Sequence, residues 1–227
     1  MSPTPWNSLN LNWHNGDLPE RVTENHRRAL RAVDRELASF CDAHQVHGNN
    51  VFVYKEPISI NSKPEADALL TKNSQVTLGM RYADCVPVLL FDPVHQVAGI
   101  AHSGWRGTVK RVSAKAVRRM ENEFGSDPTN IIAAIGPSIC AKHYQVGLEV
   151  IEEVENVFGK NTSSLIQENG STHFDLWSAN KQVLSDVGVS QIEIAGLCTA
   201  CDPDNWFSYR AEDKKTGGFA AIIGLKR

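Results

Sequence analysis

The 227 residues carry 23 Lys and Arg against 26 Asp and Glu, a net charge of −3, and 41% of them are apolar, enough for a sizeable core. At a pI near 6.2 there is no broad basic field to hold a polyanion, so nucleic acid is not the expected partner; a local cationic pocket for one small anion is still allowed. No run approaches the roughly 18 apolar residues of a membrane span, and the first residues lack the basic and apolar regions of a secretory signal, so a soluble, cytoplasmic chain folded as one domain over residues 1–227 is expected.

In chain order, the periodicity predicts a first helix over residues 18–40, with Leu30, Val33 and Leu37 on one stripe. A strand at 51–54 and a polar connection at 57–64 follow, then strands at 76–80, 86–91 and 97–102. The strongest helical pattern covers 107–124, where Val109, Val112, Ala116 and Met120 recur at three- and four-residue steps and Gly125 stands as a stop. A strand at 131–135 and a helix at 147–158 come next. A helix at 175–187 follows, with Asp175 as its N-cap and Gly188 beyond its end. Strands at 192–197 and 219–225 complete the pattern. Strands apolar on both faces are covered on both sides, and some alternate with helices while others follow one another, which reads as α+β with mixed sheets. Neither GxGxxG nor GxxxxGK[ST] occurs, so nothing marks a dinucleotide or P-loop site.

Three segments look built for chemistry: His44-Gln45-Val46-His47-Gly48, Ala83-Asp84-Cys85-Val86-Pro87, and His102-Ser103-Gly104-Trp105-Arg106-Gly107. The second opens a strand and the third closes the next one. Asp92-Pro93 between them is a turn signal, so a hairpin brings Cys85 beside His102. Two histidines and one thiolate suit Zn2+, and the same donors also admit copper, the less expected metal. Three protein ligands leave a position for water, whose pKa zinc lowers from 15.7 to about 7. The turn after His102 opens a helix, where backbone N–H groups favour anions, and Arg106 can hold phosphate or, alternatively, cap carbonyls. Five cysteines at irregular positions argue against a disulfide framework. Cys198-Thr199-Ala200-Cys201 has neither a second Cys-x-x-Cys nor a downstream histidine pair, so it is read as structural rather than as a zinc ribbon.

These motifs, with Ser8-Leu9-Asn10-Leu11, Ala66-Asp67-Ala68, Gly136-Pro137-Ser138-Ile139, Tyr144-Gln145-Val146-Gly147, Cys198-Thr199 and Phe207-Ser208-Tyr209-Arg210, resemble the YfiH family, also called the laccase-domain or peptidoglycan-editing-factor family, almost end to end. The resemblance implies mixed sheets sandwiched between helices and metal ligation by His47, Cys85 and His102. It also implies phosphorolysis of adenosine, inosine, guanosine and S-methyl-5′-thioadenosine, and hydrolytic deamination of adenosine. Purine nucleosides and phosphate are then the partners, with the chain a monomer or homodimer. Asn10, Arg106 and Arg210 are the expected substrate contacts. Asp84 is either the proton donor to departing ammonia or an orienting carboxylate. Two positions depart from the family pattern: Ala211 and Gly218 stand where arginines are usual.

Two alternative chemistries remain open at this point. Cys85 could act as a nucleophile with His102 as its base, in a peptidoglycan-precursor hydrolase. A copper-dependent polyphenol oxidase is the other, although none of the eight histidines forms a His-x-His pair.

Overall fold

The structure, a computed structural model, describes residues 2–7, 9–58, 63–168 and 170–226. Ser8 and the middle of the 57–64 connection lie outside the described residues. Helix α1 spans Pro19–Arg31 and buries Val22, His26 and Leu30. It stops well short of residue 40 because Asp34 turns left-handed, at φ 54°. Arg35 N–H then bonds the Leu30 carbonyl at 2.9 Å and Asp34 N–H bonds the Arg31 carbonyl at 3.2 Å, a paired closure that needs a left-handed residue just past the helix end. Strand β1 is only Phe40–Cys41.

Strands β2 (Val51–Tyr54), β3 (Ala68–Thr71), β4 (Thr77–Tyr82), β5 (Val86–Asp92) and β6 (Val97–Ser103) follow. The periodicity does not reveal β3, which is four residues long and wholly buried. The helix expected over 107–124 is two helices, α2 (Trp105–Val109) and α3 (Val112–Phe124), broken where Arg111 takes φ 56°. No glycine or proline marks that break. The rest is β7 (Ile132–Ile135), α4 (Leu148–Phe158), α5 (Thr162–Leu165), β8 (Ile166–Glu168), β9 (Thr172–Phe174), α6 (Leu176–Ser185), β10 (Gln191–Ile194) and β11 (Phe219–Gly224). Asp175 caps α6 as expected, accepting from Trp177 N–H at 3.0 Å and Ser178 N–H at 3.1 Å.

Six strands form a mixed sheet in the order β10-β7-β5-β6-β3-β2, and three form a second in the order β1-β4-β11. One face of the large sheet packs on α3, α4 and α6 through Leu70, Val88, Leu90, Val117, Met120, Val154 and Val183. Its other face, with Leu69 and Ile100, meets Leu78 and Met80 of the small sheet. Helix α1 covers the far side of the small sheet, where the His26 ring meets Phe40 at 4.9 Å. The sheets thus lie between helices, each buried apolar face matched by another. A Cβ at Gly79 would sit 2.2 Å from the Phe40 ring, so β4 needs a glycine there.

His26 is fully buried and stacks on Trp13 at 3.8 Å between ring centroids. Its Nε2–H donates to the Leu11 carbonyl at 2.9 Å, and its Nδ1 meets no partner among the described residues. Burial lowers its pKa to about 4; the Leu11 carbonyl and Asp42 push it up and Arg81 and Lys63 push it down, all more weakly. An unfolded histidine titrates near 6.5. Between these values the unfolded chain takes a proton that the folded chain refuses, so this stability is present above about pH 6.5 and lost as pH falls towards 4, by a few kcal/mol at most. The urea midpoint is expected to fall between pH 6.5 and 4.5. In His26→Gln, which keeps a donor for Leu11 and cannot titrate, it should fall measurably less; parallel curves would remove His26 from this role.

A candidate metal centre at the head of a hairpin

Strands β5 and β6 pair antiparallel, with Pro87 opposite His102 and Asp92 opposite Val97. The hairpin inferred from the sequence therefore exists, and it sets Cys85 beside His102. His47 joins them from the loop between β1 and β2, where it takes φ 54°. The ligand atoms of His47, Cys85 and His102 all lie within 4.8 Å of one another. The two imidazole rings meet with centroids 4.8 Å apart at 64°. His102 is buried, Cys85 half-buried and His47 exposed, so the group opens outward through His47.

Asp67, at the entrance to β3, holds this arrangement. Its carboxylate accepts from the backbone N–H groups of Val46 at 3.2 Å, His47 at 3.1 Å and Gly48 at 2.7 Å. It also accepts from His102 Nδ1 at 2.9 Å. The left-handed turn at His47 is what points successive N–H groups at one anion. With Nδ1 committed to Asp67, His102 presents Nε2 to the centre, the arrangement of a carboxylate-oriented metal ligand. Burial pushes the Asp67 carboxyl up, but the bonds from His102, Gly48 and Val46 outweigh it and leave its pKa below the ordinary value. Burial, the largest influence, lowers His102, yet the Cys85 sulfur and Asp67 together raise it to about 9. Positive charge is therefore favoured between Cys85 and Asp67. Burial, and then His102, lower the pKa of His47.

A cavity of about 670 Å³ opens over the three ligands and is also lined by Asp84, Arg106, Tyr144 and Arg210. That volume is ordinary for a small-molecule site. Arg106 is exposed and lies over the Trp105 ring at 4.3 Å; none of the described residues accepts a hydrogen bond from it. The helix behind it, α2, has five residues, too short for an appreciable dipole, so the expected help from a helix N-terminus is small and the case for an anion rests on the guanidinium. Arg210 reaches the cavity with two donors already engaged, Nη1 on the His143 carbonyl and Nη2 on the Gln145 carbonyl, both at 3.0 Å.

Asp84 takes φ 85°, and its oxygens accept from Thr199 Oγ1, Ser208 Oγ and Arg210 N–H, each at 2.7 Å. These donors tie Asp84 to the loops at Thr199 and Ser208–Arg210, and none of them belongs to His47, Cys85 or His102. Asn10 requires a correction: it is fully buried and does not line the cavity. Its side chain bonds Asp17 at 3.1 Å, and its oxygen accepts from Gly218 N–H at 3.0 Å, docking the chain ahead of β11. Asn12 lines the cavity instead. A Cβ at Gly218 would lie 3.0 Å from Asn12 Cβ, so the glycine suits this close approach.

Asp67 and Tyr144 both lie within motifs singled out in the sequence, but neither spacing nor periodicity gave them a role. Cys198 and Cys201 also prove to have partners: Cys140 and His143 join them in a second group whose ligand atoms lie within 4.8 Å of one another. No described helix is long and apolar enough to cross a membrane.

Residues 1–226 match a family model described as "Multi-copper polyphenol oxidoreductase laccase". A protein of Deinococcus radiodurans named purine nucleoside phosphorylase is 36% identical, covering all of this chain and 86% of that protein. Purine nucleoside phosphorylase YfiH of Escherichia coli is 34% identical, covering 99% of this chain and 89% of that one. The crystal structure of Bacillus licheniformis hypothetical protein YfiH superposes with a TM-score of 0.94 at 31% identity, over all of this chain and 89% of that one. YlmD from Geobacillus stearothermophilus gives 0.95 at 28% identity, over all of this chain and 88% of that one. Sequence relatives and solved folds agree along the whole chain, which therefore belongs to the YfiH family.

Proposed function

We propose that this chain is a zinc-dependent purine nucleoside phosphorylase that also deaminates adenosine by hydrolysis, with His47, Cys85 and His102 holding the metal. The observation that carries the reading is an unpaired guanidinium, Arg106, beside a convergent His2Cys group in one nucleoside-sized cavity. The names of the relatives supply the substrate class. The donor set fits zinc: two imidazoles and a sulfur are the borderline-soft ligands that it takes, and Asp67 already fixes one imidazole for ligation. When bound, zinc supplies a Lewis acid.

The chain's own residues do the positioning. Phosphorolysis needs a phosphate oxygen to attack the anomeric carbon while the purine departs with the glycosidic electron pair and a proton. Arg106 is placed to hold that phosphate by charge-assisted hydrogen bonds. Arg210 and Tyr144 form a wall rather than a second open anion contact, because the guanidinium is spent on backbone carbonyls and lies 5.3 Å from the Tyr144 ring. Deamination adds water at C6 of adenine and expels ammonia without using phosphate. The two activities therefore share the cavity and differ in their need for Arg106.

The family description favours a second reading, a copper polyphenol oxidase. Among the described residues the groups able to hold a metal are one His2Cys and one Cys3His, and neither is the histidine-rich set of a multicopper cluster. Metal analysis with electron paramagnetic resonance separates the cases: a Cu(II) signal that tracks turnover would replace zinc.

Arg106→Ala is expected to lower kcat/KM for phosphorolysis by about a hundredfold, the scale of one lost charge-assisted contact, and adenosine deamination by much less. Equal losses in paired assays with and without phosphate would refute the phosphate role. Gly104 supplies a second test. A Cβ there would sit 2.6 Å from Cys85 Sγ and 3.8 Å from His47 Nδ1, so Gly104→Ala should reduce bound metal and both activities together. Full activity with metal content unchanged would show that Cys85 is not held as a ligand.

A further inference from the structure

We infer that Cys140, His143, Cys198 and Cys201 form a second, closed zinc site, structural rather than catalytic, and independent of the nucleoside reading. Zinc bonded to sulfur at about 2.3 Å and to nitrogen at about 2.0–2.1 Å in a tetrahedron sets S and N about 3.6 Å apart. His143 Nδ1 lies 3.7 Å from Cys140 Sγ, 3.7 Å from Cys198 Sγ and 3.4 Å from Cys201 Sγ. One imidazole nitrogen 3.4–3.7 Å from each of three sulfurs matches the edges of a Cys3His tetrahedron. All four protein positions are filled, which distinguishes it from the three-ligand group over the cavity.

The backbone explains the convergence. Strands β7 and β10 pair in parallel, and their pairing continues past the strand ends through a Ser138–Cys198 bridge. Ser138 N–H bonds the Leu197 carbonyl at 3.1 Å, and Thr199 N–H bonds the Ser138 carbonyl at 3.3 Å. Each chain then turns and offers two ligands three residues apart, Cys140 with His143 and Cys198 with Cys201. Cys140 N–H also donates to Cys198 Sγ at 3.3 Å, a bond that supports a charged sulfur.

The same two turns carry the back wall of the cavity. Ile139 N–H bonds the Asp84 carbonyl at 3.0 Å, and Thr199 bonds the Asp84 side chain. Arg210 grips the His143 carbonyl. A metal that ties Cys140 and His143 to Cys198 and Cys201 therefore fixes the loops that Asp84 and Arg210 join. Such a site adds folding energy outright.

Elemental analysis and thiol labelling of the purified full chain test the site. In a His47→Ala, His102→Ala double variant, which removes ligands of the first centre, about one zinc per chain should remain; adding Cys201→Ser, at an exposed position, should remove it. In the unaltered protein Cys140, Cys198 and Cys201 should resist alkylation until a strong chelator is added, with buried Cys41 as the reference thiol. Three thiols that alkylate equally with and without chelator, or a Cys198–Cys201 disulfide in the freshly purified protein, would overturn the site. Either result would leave the His47–Cys85–His102 centre and its activities untouched, so the two readings fail separately.

Discussion

The Asp67 carboxylate is the interaction on which the candidate centre depends. A carboxylate taken out of water is expensive unless donors replace the lost solvent, and Asp67, fully buried, meets four. Three are successive backbone N–H groups of the His47 turn and the fourth is the His102 imidazole. The replacement of water and the construction of the site are one event: satisfying Asp67 forces His47 into the left-handed region and fixes which nitrogen His102 turns to the cavity. The His102 N–H bond to the Asp67 carbonyl at 2.8 Å adds a backbone tie between β3 and β6, so the carboxylate cannot drift from the histidine it orients.

Much of this was legible in the sequence because hairpins and periodic helices are local. Asp92-Pro93 between two apolar runs was enough to place Cys85 beside His102, and the capped helix at Asp175 formed as its pattern requires. What escaped was of two kinds. Left-handed residues at Asp34 and Arg111 broke predicted helices without a glycine or proline to signal it; at Asp34 the closing bonds back to Leu30 and Arg31 stabilise an ending that the apolar stripe argued against. Contacts distant in sequence were the other kind. Asp67 stands just before a four-residue strand with no alternation, and nothing in its own neighbourhood points to His102, 35 positions on. Cys198-x-x-Cys201 has neither a second Cys-x-x-Cys nor a downstream histidine pair, and the group the fold brings beside it, Cys140-x-x-His143, lies upstream in another spelling.

Asp84 shows how one side chain joins these distant pieces. It stands at φ 85° immediately before Cys85, and its two oxygens gather Thr199, Ser208 and the backbone of Arg210. Two stretches more than a hundred positions on, at Thr199 and at Ser208–Arg210, are thereby tied to the residue that precedes a ligand. The consequence for chemistry is a division of labour between carboxylates. Asp67 orients an imidazole from behind, and Asp84 holds together the loops at Thr199 and Ser208–Arg210.

That division bears on why a zinc site of four protein ligands would sit behind one of three. A Lewis acid with a vacant position is useful only if the walls that present substrate to it stay still. The walls here are loops beyond the ends of β7 and β10, elements that packing alone holds weakly. The Asp84 hydrogen bonds fix the inner side of those loops, where Ile139 and Ala200 meet the core, while Cys201 on the outer side is exposed. A tetrahedral tie among Cys140, His143, Cys198 and Cys201 would add rigidity at that exposed outer edge, behind the wall that faces the three-ligand group.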